Sequence, residues 1–148
     1  MKIELSTNSA EMTMELGQKI ARLAKAGSTF CLTGELGAGK TTLVRGMAKE
    51  LGIKSVVQSP TFNIMKIYFD GSKPLIHIDA YRLADLDTDI GLDEYIGYET
   101  GLTVIEWPNY IPKLIPENAS TITIFNMGET NRKIIVECDD LNLIEGLK

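Results

Sequence analysis

The sequence contains little that would support several common kinds of site. It has two cysteines and one histidine, with no Cys-x-x-Cys pair, so neither a zinc site nor a disulfide framework is predicted. Cys31 and Cys138 each lie in an apolar, strand-like run and are expected to be buried thiols. No apolar run approaches the ~20 residues needed to cross a bilayer, and the N-terminus lacks the features of a secretory signal. We therefore expect a cytoplasmic protein without a membrane partner.

A surplus of positive charge is also missing, since the formal net charge is −5. Proteins that bind nucleic acid by themselves gain much of their affinity from Lys and Arg at phosphates, so this balance argues against that class. It is compatible with a subunit whose partner holds the nucleic acid. The 148 residues, of which 44% are hydrophobic, fit one globular domain over residues 1–148.

The hydrophobic pattern alternates between helix-like and strand-like segments. We predict strands over residues 2–5, 28–33, 63–69, 74–79, 101–107, 120–126 and 131–138, helices over 9–25 and 40–51, and a helical or frayed tail over 141–148. Asn8 and Glu11 form a capping-box pattern at the first helix, and Gly27 is its expected stop. Asp70-Gly71 indicates a hairpin, and 84–93 reads as loop and short helix. The pattern predicts a three-layer α/β domain with a mixed parallel and antiparallel sheet flanked by helices.

One segment carries a specific chemical signal. GELGAGKT, residues 34–41, matches G-x-x-x-x-G-K-[ST] between a predicted strand and a predicted helix. Glycines let the backbone approach an anion, successive N–H groups form a nest, and the helix N-terminus adds a positive dipole end. The expected nucleotide-binding residues here are Glu35, Leu36, Gly37, Ala38, Gly39, Lys40, Thr41 and Thr42. We predict a P-loop NTPase-like domain that binds ATP, because no guanine-reading N/T-K-x-D sequence follows the loop.

The loop also predicts where a metal would lie. Lys40 is expected to reach the β- and γ-phosphates and the Thr41 hydroxyl to ligate Mg²⁺. Asp79 and Glu106 each end an apolar strand, where P-loop proteins place a carboxylate near the metal. Lys40, Asp79 and Glu106 are therefore the candidate catalytic residues, and Thr41, Asp79 and Glu106 the candidate metal ligands. His77 alternates with its isoleucine neighbours and is interpreted as structural rather than catalytic.

Two further segments bear on hydrolysis. Ser59, Pro60, Thr61 and Phe62 follow the predicted P-loop helix, and Thr61 is a candidate to present its hydroxyl to the phosphates as switch segments do. Arg82 is a candidate to stabilise charge on the γ-phosphate, and Arg45 is interpreted as a solvated arginine of the P-loop helix. No single arginine stands out as an internal finger. Slow intrinsic hydrolysis, completed by a partner, is the expectation.

Four motifs in this order resemble the TsaE (YjeE) family: GELGAGKTT (34–42), SPTFNI (59–64), HIDAYRL (77–83) and VIEWP (104–108). The resemblance implies a small bacterial ATPase needed for the threonylcarbamoyladenosine modification beside the anticodon of tRNA. It implies TsaB and TsaD as partners, contact with tRNA only through them, and weak ATPase activity that rises in the complex. Hydrolysis would reset the complex, while TsaD carries out the transfer. The resemblance also implies that Lys40 binds phosphate, that Thr41, Asp79 and Glu106 surround Mg²⁺, that residues 59–62 act as a switch, and that Trp107 lies beside the nucleotide.

Two other functions use the same loop. A small-molecule P-loop kinase usually closes an arginine-bearing lid over the phosphates, but residues 84–100 contain no Lys or Arg. A non-catalytic regulator would bind ATP without turnover even with its partners present.

Overall fold

The computed structural model describes residues 1–35, 37–58, 64–83 and 91–148, with Arg82 described by its backbone alone. Leu36, the switch-like segment Ser59, Pro60, Thr61 and Phe62, and residues 84–90 of the predicted loop lie outside the described residues. Within the described ranges one sheet is formed by β1 (Lys2–Thr7), β2 (Thr29–Gly34), β3 (Met65–Tyr68), β4 (Leu75–Asp79), β5 (Leu102–Glu106), β6 (Ser120–Asn126) and β7 (Arg132–Glu137).

The sheet is mixed, as predicted. Its strand order is β1-β7-β6-β2-β5-β4-β3. The four central strands β6, β2, β5 and β4 run parallel, while β7, β1 and β3 are antiparallel to their neighbours. Both predicted hairpins, β3–β4 and β6–β7, are present. The carboxyl ends of the parallel strands therefore meet at one edge of the sheet, which is where α/β proteins place their ligands.

The α-helices of the described residues are α1 (Ala10–Leu23), α2 (Lys40–Glu50) and α3 (Leu141–Leu147). Their apolar side chains share one core with one face of the sheet. A second, smaller core on the opposite face joins Ile76, Ile78 and Ile105 to short 3₁₀ segments. The described residues of this third layer form the 3₁₀ helices Tyr81–Leu83, Leu92–Glu94, Pro108–Tyr110 and Pro112–Leu114. In the described ranges the α-helices thus lie on one face of the sheet and the 3₁₀ helices on the other.

Helices α1 and α2 approach each other unusually closely because each presents a glycine to the other's backbone. A Cβ at Gly17 would overlap the carbonyl oxygen of Leu43, and a Cβ at Gly46 would overlap the carbonyl oxygen of Met14. Since α2 begins at Lys40, this crossing fixes the helix that carries the loop lysine.

Some element boundaries differ from those predicted. Ser9, not Asn8, caps α1, because its Oγ accepts a hydrogen bond from the Met12 N–H at 3.1 Å. The Asn8 carbonyl instead accepts from the Thr130 hydroxyl at 2.7 Å. The first helix ends at Leu23, before Gly27.

The tail forms α3, capped by Asp140, so of the two predicted alternatives the helical one is correct. Cys31 and Cys138 are buried free thiols, as expected. No helix in the described ranges is long and apolar enough to cross a membrane.

Candidate functional site

The phosphate loop (residues 34–41) leaves β2 at Gly34 and enters α2 at Lys40. Gly39 stands before the helix with φ 109°, in the left-handed region that a side chain would strain. The Ala38 N–H donates to the Glu35 carbonyl at 3.0 Å, which closes a tight turn just before the helix. A glycine-rich connection between a central parallel strand and a helix is therefore realised here.

Two carboxylates lie side by side at the same edge of the sheet. Asp79 and Glu106 are the last residues of β4 and β5, and they are register partners. Glu106 is also paired with Leu32 of β2, the strand that leads into the phosphate loop. Each carboxylate residue is only 4% exposed. The parallel strand order thus brings both predicted acids next to the loop.

Lys40 connects the loop to this edge. Its Nζ lies 3.6 Å from Glu106 Oε1 and 5.1 Å from the centroid of the Trp107 ring. Burial alone would raise the pKa of Glu106, but the hydrogen bond with His77 and the positive charge of Lys40 outweigh burial and lower the pKa. Glu106 is therefore a buried anion held beside a buried ammonium group.

His77 contacts the site directly. Asp79 follows His77 by two residues, so both side chains lie on the same face of β4. The Nε2 atom of His77 is 2.7 Å from Glu106 Oε2. The side chain is fully buried, and its Nδ1 has no hydrogen-bond partner in the described part of the chain. With its proton on Nε2 the ring donates to Glu106. The sequence-based interpretation as a structural histidine missed this contact, although the two-residue spacing to Asp79 indicated a shared face.

An aromatic group borders the acids. Trp107 follows Glu106 with φ 58°, an uncommon conformation for a residue other than glycine. Its ring centroid is 5.2 Å from that of Tyr81 and 6.0 Å from that of Tyr110. The Tyr81 N–H in turn donates to Asp79 Oδ1 at 3.0 Å. Tyr81 and Trp107, which follow the ends of β4 and β5, thus pack against each other.

These groups line one cavity of about 760 Å³. Its lining comprises Glu35, Gly37, Gly39, Lys40, Thr41, Thr42, Asp79, Tyr81, Glu106 and Trp107. Ala38 is in the loop but not in this lining. Tyr81 lines the cavity without being among the predicted binding residues; its place two residues after Asp79 was the available signal. Arg45 is not in this lining, and its Nε donates to the Val57 carbonyl at 3.0 Å.

The donor atoms suit a hard cation bound together with phosphate. Thr41, Asp79 and Glu106 all line the cavity, and their side chains carry the oxygen ligands that Mg²⁺ prefers. The described residues contain no cluster of three or more His, Cys, Asp or Glu that could hold a metal. Mg²⁺ is usually bound by one or two carboxylates plus phosphate and water, and the carboxylate residues Asp79 and Glu106 are both in the cavity lining.

The prediction from sequence also missed Arg132 at the start of β7. Its Nε donates to the Ala38 carbonyl at 2.8 Å. The two residues are far apart in sequence, and no local motif connects them.

The fold and the loop define an α/β protein with a mixed sheet and a glycine-rich connection between a central strand and the next helix. Residues 7–134 match the family described as "Threonylcarbamoyl adenosine biosynthesis protein TsaE", and the chain belongs to this family.

Curated relatives agree with this assignment. The tRNA threonylcarbamoyladenosine biosynthesis protein TsaE of Bacillus subtilis is 41% identical over 133 residues, covering 90% of this chain and 84% of the relative. The protein of the same name from Treponema pallidum is 41% identical over 132 residues, covering 88% and 96%. The crystal structure of Bacillus subtilis YdiB is similar with a TM-score of 0.84 at 34% identity, over 99% of this chain and 94% of that one.

Proposed function

We propose that this chain is a Mg²⁺-dependent ATPase that acts in the biosynthesis of threonylcarbamoyladenosine in tRNA. The observation that carries the proposal is the junction of the phosphate loop with the carboxylate edge, where Lys40 Nζ lies 3.6 Å from Glu106. A loop that only connected a strand to a helix would have no need of a buried lysine beside a buried carboxylate. Family membership supplies the pathway.

The residues divide the work as follows. The loop N–H groups and Lys40 bind the triphosphate, and the oxygens of Thr41, Asp79 and Glu106 hold Mg²⁺, directly or through water. Mg²⁺ held by these residues would neutralise charge on the phosphates. Because its pKa is lowered, Glu106 is an anion at neutral pH and is available to orient an attacking water. His77 holds one of its oxygens at 2.7 Å. Trp107 and Tyr81 form the apolar wall of the cavity.

We propose that hydrolysis is slow in the isolated protein and rises in a complex with TsaB and TsaD. Among the described residues the cavity is lined by one cationic side chain, that of Lys40, and by no arginine. Transition states of phosphoryl transfer gain much from a second cation, which in many P-loop proteins comes from a partner. The net charge of −5 agrees with a subunit that contacts tRNA only through its partners. We further propose that the chain is a single ATPase domain that works in the cytoplasm.

The test measures phosphate release from MgATP by the chain alone and with TsaB and TsaD. Matched variants are Lys40→Ala, Glu106→Gln and, as a control on an exposed carboxylate remote from the cavity, Glu145→Gln. We expect stimulation by the partners that is lost in the Lys40 and Glu106 variants and kept in the control. Because single catalytic groups contribute roughly 10²–10⁴-fold, the loss in Glu106→Gln is expected to reach at least about 100-fold.

Other outcomes would replace the proposal. Full turnover by the chain alone with a small phosphate acceptor would identify a kinase. ATP binding without turnover in every mixture would identify a non-catalytic regulator.

A further inference from the structure

We propose that Arg132 is the positioning residue of the phosphate loop, holding the Ala38–Gly39 peptide in the orientation that nucleotide binding needs. The proposal rests on the ATP-binding function proposed above. Arg132 does not line the nucleotide cavity. It contacts the loop from outside this cavity, through the carbonyl groups of Ala38 and Gly37.

The guanidinium group bridges the loop and the β6–β7 turn. Nε donates to the Ala38 carbonyl at 2.8 Å, and Nη2 makes a longer contact of 3.5 Å with the Gly37 carbonyl. On the other side Nη1 contacts three acceptors of the turn, Asn126 Oδ1 at 3.2 Å, the Glu129 carbonyl at 3.0 Å and the Asn131 carbonyl at 2.8 Å. Because a guanidinium is planar and rigid, contacts at one end fix the direction of the other.

The turn itself is anchored. Asn126 and Arg132 are register partners at the end of the β6–β7 hairpin. The Thr130 hydroxyl donates to the Asn8 carbonyl at 2.7 Å, which ties the turn to the segment before α1. The hairpin that carries Arg132 is therefore anchored to the rest of the protein, which limits the movement of the guanidinium group.

The hydrogen bond from Arg132 to the Ala38 carbonyl also determines the direction of the Gly39 N–H. The peptide bonds of the described residues are trans, so a carbonyl and the following N–H point in opposite directions. With its carbonyl bound to Arg132, Ala38 leaves the Gly39 N–H directed away from the guanidinium, and Gly39 lines the nucleotide cavity. Glycine at φ 109° has no side chain to resist rotation of this peptide. The hydrogen bond from Arg132 supplies the missing restraint.

Charge adds to the effect. None of the ion pairs among the described residues involves Arg132. Its guanidinium group lies beside the loop, where its positive charge contributes to the potential that attracts a triphosphate.

The experiment compares Arg132→Gln, Arg132→Lys, the neighbouring control Lys133→Gln and Lys40→Ala, in the full chain with Mg²⁺. Calorimetry gives the Kd for ATP and for ADP, and circular dichroism with thermal melting without nucleotide checks folding. We expect Arg132→Gln to weaken both nucleotides about tenfold, the loss typical of one hydrogen bond to a charged group. Arg132→Lys keeps the positive charge but loses the planar guanidinium group, so its Kd values should lie between those of Arg132→Gln and the wild type. Lys133→Gln should bind as the wild type does.

A second measurement follows the peptide itself. In ¹⁵N-labelled protein without nucleotide, the Gly39 amide resonance should shift in Arg132→Gln and stay in place in Lys133→Gln. If Arg132→Gln has a lower Tm but binds ATP with the wild-type Kd, the residue only stabilises the β6–β7 hairpin and the inference is overturned. If the wild type does not bind ATP, or Lys40→Ala binds it equally well, the proposed function fails and this inference fails with it.

Discussion

The contact between α1 and α2 makes a sharp prediction about stability. Gly17 and Gly46 each meet the backbone of the opposite helix, and real Cβ atoms do not approach a heavy atom closer than 3.0 Å. Alanine at either position would place its Cβ well inside that limit against a carbonyl oxygen. A backbone atom cannot rotate away as a side chain does, so the helices must separate.

The expected size of the effect follows from two opposing contributions. Overpacking usually costs roughly 1–3 kcal/mol, and a backbone obstacle places these sites at the upper end. Alanine gains back about 1 kcal/mol over glycine from its helix propensity. The net loss in the free energy of unfolding is then about 2 kcal/mol for each variant, which corresponds to a fall in Tm of roughly 4–8 °C for a chain of this size.

The assay is urea unfolding, followed by circular dichroism, of Gly17→Ala, Gly46→Ala and the double variant. Both glycines lie at one crossing, so helices already separated by the first alanine should admit the second more easily. The double variant should therefore lose less than the sum of the two single losses. Gly146→Ala is the matched control, because the three atoms nearest to its Cβ would be side-chain atoms of Leu23, at 2.6–3.2 Å, and these can rotate away. Single variants within about 0.5 kcal/mol of the wild type would refute the close-contact reasoning.

Three other predictions concern single side chains. His77→Gln keeps an N–H donor near the position of Nε2 and should retain most of the phosphate release. His77→Leu should lower kcat about tenfold or more with little change in the Kd for ATP. Equal kcat values for the two variants would contradict the role of His77 in holding Glu106. Burial raises the pKa of Cys31 to about 11, so in Cys138→Ser protein iodoacetamide at pH 8 should leave Cys31 unmodified until denaturant is added. Hydrogen bonds from the Lys54 and Ser55 N–H groups lower the pKa of Asp70, outweighing its slight burial. Its stabilising effect is therefore present above the ordinary value of about 3.9 and lost as the pH falls through the lowered pKa, so the stability gap between the wild type and Asp70→Asn should close in acid.

Local patterns account for much of what the sequence predicted correctly. Alternating apolar residues and the Asp70-Gly71 turn predicted the β3–β4 hairpin that the structure contains. The same reasoning placed Asp79 and Glu106 at the ends of strands. These features depend on neighbours in sequence, for which the physical signals are strong.

Features that depend on strand order were not predictable in this way. Asp79 and Glu106 meet because β4 and β5 are adjacent and in register, and no residue in either strand encodes that adjacency by itself. Arg132 reaches Ala38 because β7 and β6 lie on the side of β2 away from β5. The cap at Ser9 was missed for a different reason, since Asn8 and Ser9 are both good capping residues and the chain uses the Asn8 carbonyl elsewhere.

Trp107 gives the molecule an optical property of its own. It is the one tryptophan in the sequence. Its ring centroid lies 5.1 Å from the Lys40 ammonium and 5.2 Å from the ring centroid of Tyr81. All tryptophan emission from this chain therefore arises beside the phosphate loop. Any ligand that draws Lys40 away from the indole changes the local field around the fluorophore. Intrinsic fluorescence should thus report events in the cavity without an added label, and Tyr81→Phe would show how much of the signal depends on the neighbouring ring.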